Sequence, residues 1–214
     1  MICRDRKLIF VHLRRTAGNS IEAALGGIVL FDRWFRRTAT WDNRLHRGRS
    51  WYKRDRRGHR IHSTAAEIKA LHPAEFDRCF RFTIVRNPWE QMASLYGRLH
   101  PHDAGFAGFR AWLHGFDLAG GTVPQASLFD DAGRSLVDFI GRFERLQADF
   151  DEACDRAGIP RCRLPHTNTA SGPRAAALYD DDTRSLVARL YAADIARFGY
   201  AFEPAAGRPR RLAA

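Results

Sequence analysis

A segment near the start of the chain, KLIFVHLRRTAGNS over residues 7–20, joins an apolar run to two arginines and a small, polar turn. The apolar run has the composition of a short buried strand. The turn lacks bulky side chains, so its amides can reach an anion, and Arg14 and Arg15 add two permanent charges. Asn19 or Ser20 is the expected N-cap of a helix. The segment predicts a strand, a phosphate-binding loop and a helix; the alternative is an ordinary turn with surface arginines.

A second strand, turn and helix is predicted after residue 80. The run FRFTIVR, which ends at Arg86, is short and rich in aromatic and branched residues, as in a buried strand. Asn87 is the expected N-cap and Pro88 suits the first helical position, so a helix should run to about Leu99. Ser94 lies two turns into that helix, on a face that can turn back towards Arg86.

Strands and helices also alternate in the rest of the chain. Thr64 and Glu67 form a capping-box pattern, which predicts the start of a helix. The remaining predicted elements are a strand or short buried segment over 137–143, helices over 146–157 and about 186–198, and a mixed loop and short helix over 101–127. This alternation predicts an α/β fold with a parallel sheet and with ligand loops at the carboxyl ends of the strands. Arg15 and Arg86 are then expected at the same edge.

Length and composition limit the class of protein. With 214 residues, 45% hydrophobic and 12% aromatic, the chain is expected to form one folded domain over residues 1–214, with a frayed tail from about 208. No apolar run approaches the ~20 residues that span a bilayer, and the first one is too short for a cleaved signal. The four cysteines have neither metal-type spacing nor the density of a disulfide framework. We therefore expect free thiols in the cytoplasm, with a single disulfide as the alternative.

Residues 31–60 hold much of the chain's net charge of +11. Eleven basic and three acidic residues give this segment a charge of +8, and aromatic residues are interleaved among them. We interpret the segment as a basic, aromatic-rich insertion with an acidic partner, which is an anionic substrate, an anionic membrane surface or nucleic acid. The alternative is a basic loop that packs on its own domain.

Together, the two strand-turn-helix segments resemble the sulfotransferases that use 3′-phosphoadenosine 5′-phosphosulfate (PAPS), especially the bacterial and carbohydrate-directed branch. VHLRRTAGNS resembles the family's 5′-phosphosulfate loop, commonly written HxPKTxGxS, and FTIVRNPWEQMASLY resembles its 3′-phosphate site. Weaker matches are DFIGRFERL, LPHTNTASG and DIARFGYAF. The resemblance implies a three-layer α/β sandwich with a central parallel sheet and a P-loop-like phosphosulfate site. It also implies PAPS as the sulfate donor, with no metal.

The resemblance assigns roles to individual residues. The 5′-phosphosulfate would be bound by the loop residues Arg14, Arg15, Thr16, Ala17, Gly18, Asn19 and Ser20. Arg86 and Ser94 would bind the 3′-phosphate. Arg15 occupies the position of the family's catalytic lysine; because a guanidinium with a pKa above ~12 is a poor proton donor, its expected role is electrostatic. Further candidates for closing over the nucleotide are Asn168, Thr169 and Ser171.

His62 is the expected general base. It lies where glycan 2-O-sulfotransferases resemble this chain and carry their catalytic histidine, and an imidazole pKa of ~6.5 suits proton acceptance. His59, His12 and Glu67 are the alternatives, although His12 is expected to hold the loop through a hydrogen bond. The predicted reaction is sulfuryl transfer from PAPS to a hydroxyl of a glycan or glycolipid. A kinase-type site is disfavoured because G-x-x-x-x-G-K-[ST] is missing.

Two other functions compete with the enzyme. One is non-catalytic binding of PAPS or its product 3′-phosphoadenosine 5′-phosphate (PAP), an alternative that the arginine at position 15 keeps open. The other is nucleic-acid binding through residues 31–60, which would leave both anion-binding motifs unexplained. The same basic segment could hold a cytoplasmic enzyme at an anionic membrane surface. The sequence makes no prediction of the oligomeric state.

Overall fold

The computed structural model describes residues 1–4, 6–25, 62–102, 105–118, 123–165 and 175–202. The chain divides into two compact units: unit 1 comprises Met1–Arg86 and Gln125–Thr169, and unit 2 comprises Asn87–Pro124 and Ala170–Ala214. Several predictions fall outside the described residues, namely those on the basic segment 31–60, His59, Asn168, Thr169, Ser171 and the tail from 208. The single sulfotransferase domain over 1–214 stays a prediction.

Unit 1 is a mixed α/β unit with a mostly parallel central sheet. The strands are β1 (Ile2–Cys3), β2 (Leu8–Val11), β3 (Phe80–Val85), β4 (Asp130–Asp131), β5 (Arg134–Ser135) and β6 (Phe139–Arg142). The central sheet has the order β1-β2-β3-β6, in which β2, β3 and β6 are parallel and β1 is antiparallel to β2. β4 and β5 form a separate antiparallel pair, which the sequence did not predict.

Two side-chain contacts accompany the parallel register. The hydroxyl of the buried Thr83 in β3 donates a hydrogen bond of 2.8 Å to the carbonyl of Val11 in β2. Near the start of β3, Arg81 forms a bidentate pair with Asp138, just before β6, at 2.8 Å and 2.6 Å. Such forked pairs fix geometry as well as adding energy. Because β2, β3 and β6 are parallel, their carboxyl ends lie at the same edge of the sheet, as the sequence predicts.

The α-helices found among the described residues are α1 (Gly18–Ala24), α2 (Ala65–Leu71), α3 (Pro73–Arg78), α4 (Pro88–Leu99), α5 (Phe106–Leu118), α6 (Leu146–Arg156), α7 (Asp181–Leu190) and α8 (Ala192–Phe198). Helices α1, α2, α3 and α6 belong to unit 1, and the others belong to unit 2. The capping box of Thr64 and Glu67 at α2 is confirmed, as are the N-cap Asn87 and the N1 proline of α4. The core of unit 1 includes Phe10, Phe82 and Phe150, each 0% exposed, which places the sheet against α6.

Unit 2 differs from the sequence prediction in two places. About half of the region expected to be mixed loop and short helix forms the 13-residue helix α5. Its buried Phe109 packs edge-on against Tyr96 and Tyr179, with ring centroids 5.3 Å and 4.9 Å apart, so tertiary packing outweighs the weak periodicity. The predicted last helix is divided into α7 and α8 because Tyr191 has non-helical angles, φ −112° and ψ 25°. Gly199 ends α8 in the left-handed region.

The described part of the chain also shows the state of its cysteines and whether it contains membrane-spanning helices or metal-binding clusters. All four cysteines belong to it and are free thiols. None of its helices is both long and apolar enough to cross a membrane. No group of three or more His, Cys, Asp or Glu side chains in these ranges is placed to hold a metal ion.

Candidate anion-binding site

The segment after β2 folds as a strand, a loop and a helix, with one difference in where the helix begins. Helix α1 starts at Gly18, and its N-cap is Ala17, which makes no side-chain hydrogen bond. The prediction that Asn19 or Ser20 caps the helix is therefore wrong. The reason lies in the backbone: Ala17 has φ 65° and ψ 19°, so the chain turns into the helix there, and the two predicted caps lie inside the first turn.

The loop has an unusual backbone and a polar interior. Arg15 and Ala17 both have positive φ angles, 62° and 65°, in the region that costs a residue with a Cβ roughly 1–2 kcal/mol. The buried Thr16 braces the turn through a 3.0 Å hydrogen bond from its hydroxyl to the carbonyl of Leu13. The amides of the first helical residues have no intrahelical acceptor, and within the described part of the chain none accepts from Gly18 or Asn19. These amides are therefore available to an anion.

His12 lies beneath the loop, almost completely buried at 6% exposure. Its ring stacks on Phe10 at 5.5 Å, and its Nδ1 lies 3.0 Å from Oε1 of Glu22 in α1. A Cβ on Gly18 would lie 1.8 Å from His12 Nε2, so the imidazole occupies the place of a side chain at position 18. The expected loop-holding hydrogen bond of His12 is present. Its partner Glu22 was not foreseen, because no sequence pattern joins residues ten apart across a loop.

His62 lies two residues before Thr64, the N-cap of α2, and contacts the chain at the base of the same loop. Its Nδ1 lies 3.0 Å from the carbonyl oxygen of His12, and the two imidazole rings meet edge to face at 4.7 Å. Because a carbonyl only accepts, Nδ1 must carry the hydrogen, which leaves the lone pair on Nε2. Burial first, and then the electrostatic influence of the neighbouring His12 and Arg14, lower the pKa of His62 from its ordinary 6.5 to about 4. His62 is therefore neutral at pH 7.

Arg86, directly after β3, connects this loop with the neighbouring strands. Its Nη1 donates a 3.1 Å hydrogen bond to the carbonyl of Arg15, and its guanidinium lies 3.9 Å above the ring of Phe143, just after β6. The backbone amide and carbonyl of Arg86 each make a 2.8 Å hydrogen bond with the side-chain amide of Gln125, which is 1% exposed. Gln125 and Phe143 are distant in sequence and carry no motif, so sequence reasoning missed them.

The predicted site residues do not all belong to one unit. Unit 1 contains Arg86, His62 and the seven loop residues, of which Arg14 and Asn19 are exposed, Arg15 and Ala17 are partly exposed, and Thr16, Gly18 and Ser20 are buried. Ser94 belongs to unit 2, where it lies in the middle of α4 and is partly buried. Glu67, an alternative base, accepts a 2.9 Å hydrogen bond from the amide of Thr64 and therefore serves the capping box.

The lowered pKa of His62 predicts a pH dependence of stability. Between about pH 6.5 and pH 4 the unfolded chain protonates this imidazole and the folded chain does not, so the free energy of unfolding falls as the pH falls. Above pH 6.5 the contribution is fully present. In His62→Asn the side-chain amide can replace Nδ1–H as a donor but does not titrate. Between pH 7 and pH 5 we therefore expect the free energy of unfolding of this variant to fall by about 2 kcal/mol less than that of the wild type, as measured by urea denaturation. His102→Asn changes an exposed histidine and is the control; parallel curves for wild type and His62→Asn would contradict the prediction.

Comparison with known protein families, curated proteins and solved structures finds no match to this chain. The function is therefore inferred from the chemistry of the site. Unit 1 combines a loop with available amides, arginines at positions 14, 15 and 86, and a neutral imidazole. Such a set can bind a polyanion and accept a proton near it.

Proposed function

We propose that this protein is a PAPS-dependent sulfotransferase that moves a sulfuryl group to a hydroxyl of a glycan or glycolipid acceptor. One observation carries the proposal: the 3.1 Å hydrogen bond from Arg86 Nη1 to the carbonyl of Arg15. It joins two anion-binding segments at one edge of a parallel sheet, although they lie 71 residues apart in sequence. PAPS carries anionic groups at both its 5′ and 3′ positions, so two adjacent cationic segments suit it.

The 5′-phosphosulfate binds in the loop Arg14–Ser20, where the amides of Gly18 and Asn19 supply donors and the two arginines supply charge. The 3′-phosphate binds to Arg86; the assignment of Ser94, which belongs to unit 2, to the same phosphate stays a prediction from the sequence. A guanidinium has five N–H donors, so Arg86 can bond to the Arg15 carbonyl and to a phosphate together. In this assignment unit 1 is a three-layer α/β sandwich with a P-loop-like donor site.

The reaction is an in-line displacement at sulfur. The acceptor hydroxyl gives its proton to Nε2 of His62, and its oxygen forms a new bond to sulfur. The bond between sulfur and the bridging oxygen breaks, and PAP leaves with the electron pair on its 5′-phosphate. The Arg15 guanidinium stabilises the negative charge that develops on that oxygen. Neither an oxidant nor a reductant takes part.

The environment of His62 affects its role as the base in two ways. Its lowered pKa keeps the imidazole neutral at pH 7, as a base requires, and its Nδ1 bond to the His12 carbonyl leaves Nε2 as the acceptor. A pKa of about 4 also makes it a weaker acceptor than free imidazole, so its contribution belongs at the low end of the usual range, about 100-fold. A turnover loss of less than about tenfold in a folded His62→Ala variant would remove it from this role.

Arg86→Ala is expected to weaken PAP binding by roughly 10- to 100-fold, because hydrogen bonds to a charged phosphate are lost. Arg86→Lys keeps the charge but loses the planar fork, and it should show an intermediate loss. Isothermal titration calorimetry measures both. The matched control is Arg78→Ala, an exposed arginine at the end of α3, just before β3, and therefore near the opposite edge of the sheet. Equal affinities for Arg86→Ala and Arg78→Ala would contradict the assignment.

Transfer of labelled sulfate from PAPS to a panel of glycan and glycolipid acceptors tests the function itself. Sulfated product that requires both PAPS and acceptor supports the enzyme. Tight PAP binding without turnover on any acceptor would instead indicate a non-catalytic nucleotide-binding protein. Affinity for DNA or RNA that survives physiological salt, without PAP binding, would favour the nucleic-acid alternative. Sedimentation with vesicles that contain or lack anionic lipid tests peripheral membrane binding.

A further inference from the structure

We propose that Glu22 is a positioning residue for the donor loop and that it acts through His12. The inference rests on the proposed function, because it concerns the loop that would bind PAPS. His12 follows β2 and Glu22 lies in α1, so the 3.0 Å hydrogen bond between them closes the loop at its base. Both side chains are largely removed from water, with 6% and 18% of their surface exposed.

Glu22 determines which nitrogen of His12 carries a hydrogen and which way the ring faces. An ionised carboxylate only accepts hydrogen bonds, so His12 Nδ1 must be the donor. Nε2 then lies on the far side of the ring, against Gly18, where an added Cβ would be 1.8 Å away. Phe10 stacks on the ring at 5.5 Å. These contacts hold the imidazole rigidly beneath the first turn of α1.

The position of the His12 ring matters for anion binding because it sets where the loop amides lie. The left-handed Ala17 leads directly into Gly18, whose Cα rests against the imidazole, and the amides of Gly18 and Asn19 are the ones available to the donor. Without the carboxylate, the buried Nδ1–H of His12 has lost its acceptor, and the ring can reorient to regain one. The position of the ring then changes, and the amides of Gly18 and Asn19 move with it.

Two variants test whether Glu22 acts in this way. Glu22→Ala removes the acceptor, whereas Glu22→Gln keeps an oxygen that can accept from Nδ1–H and loses only the charge. Asp77→Asn is the control, since it removes one exposed negative charge from α3 without touching the loop. NMR of the ligand-free protein reports the His12 Nδ1–H resonance and the hydrogen-exchange rates of the Gly18 and Asn19 amides, and calorimetry reports the affinity for PAP.

We expect Glu22→Ala to lose the His12 Nδ1–H resonance, to exchange the two amides faster and to bind PAP about tenfold more weakly. Glu22→Gln should keep the resonance and stay within about threefold of wild-type affinity, a rescue that loss of charge alone would not give. Wild-type resonance and exchange in Glu22→Ala would overturn the inference, as would equal losses in Glu22→Gln and Glu22→Ala. If the wild type bound no PAP, the proposed function would fail, while the NMR measurements would still decide the role of Glu22.

Discussion

Gly18→Ala is expected to destabilise the folded protein by about 3 kcal/mol and to weaken PAP binding by about 100-fold. The new Cβ would lie 1.8, 2.1 and 2.3 Å from three atoms of the His12 ring. The ring cannot simply move away, because it is almost fully buried, hydrogen-bonded to Glu22 and stacked on Phe10. The loop must therefore shift, and its amides leave the position that the proposed donor site requires. Thermal denaturation and calorimetry measure the two effects.

Gly97→Ala is the matched control, because it makes the same chemical change in the exposed part of helix α4, where an added Cβ would meet nothing within 4 Å. It should stabilise the protein by up to about 1 kcal/mol, as alanine usually does in a helix. The cause can be tested further by combining Gly18→Ala with His12→Ala. If the imidazole is the obstacle, the double variant loses clearly less stability than the sum of the two single variants. Additive losses would contradict the clash as the cause.

Arg15→Ala is expected to lower the turnover number of sulfuryl transfer by about 100- to 1,000-fold, the usual cost of losing one group that stabilises a developing oxyanion. Binding of PAP should fall much less. The reason is structural: the contact with Arg86 uses the Arg15 carbonyl, which is main chain and is kept in the alanine variant. The positive φ of Arg15, 62°, is equally available to alanine. Initial rates at saturating PAPS and acceptor separate this effect from binding.

Arg15→Lys distinguishes the charge from the shape of the side chain. Lysine is the residue at this position in the sulfotransferase loop pattern that the segment resembles, and it can also donate a proton to the leaving oxygen. We therefore expect turnover within about tenfold of the wild type, or above it. Arg78→Ala should leave turnover unchanged and shows that loss of a surface charge is not the cause. A turnover for Arg15→Ala within about tenfold of wild type would contradict an electrostatic role at this position.

Local chemistry determined the elements that the sequence predicted well. The capping box of Thr64 and Glu67, and the Asn87-Pro88 start of α4, depend on side chains within three residues of the backbone groups they satisfy. The buried strands β2 and β3 are short apolar runs, and their parallel pairing follows from the helices between them. For the same reason the sequence could place Arg15 and Arg86 at one edge of the sheet.

The sequence alone determined a mostly parallel α/β sheet, the loop after β2 and the arginines that meet beside it. Tertiary structure decided the details that set the loop's chemistry. Ala17 is the N-cap, and its left-handed backbone brings Gly18 onto the buried ring of His12. Glu22 in α1 holds that ring in place through a hydrogen bond. Contacts of this kind join residues that are not neighbours in a strand or helix pattern, so only the folded chain reveals them.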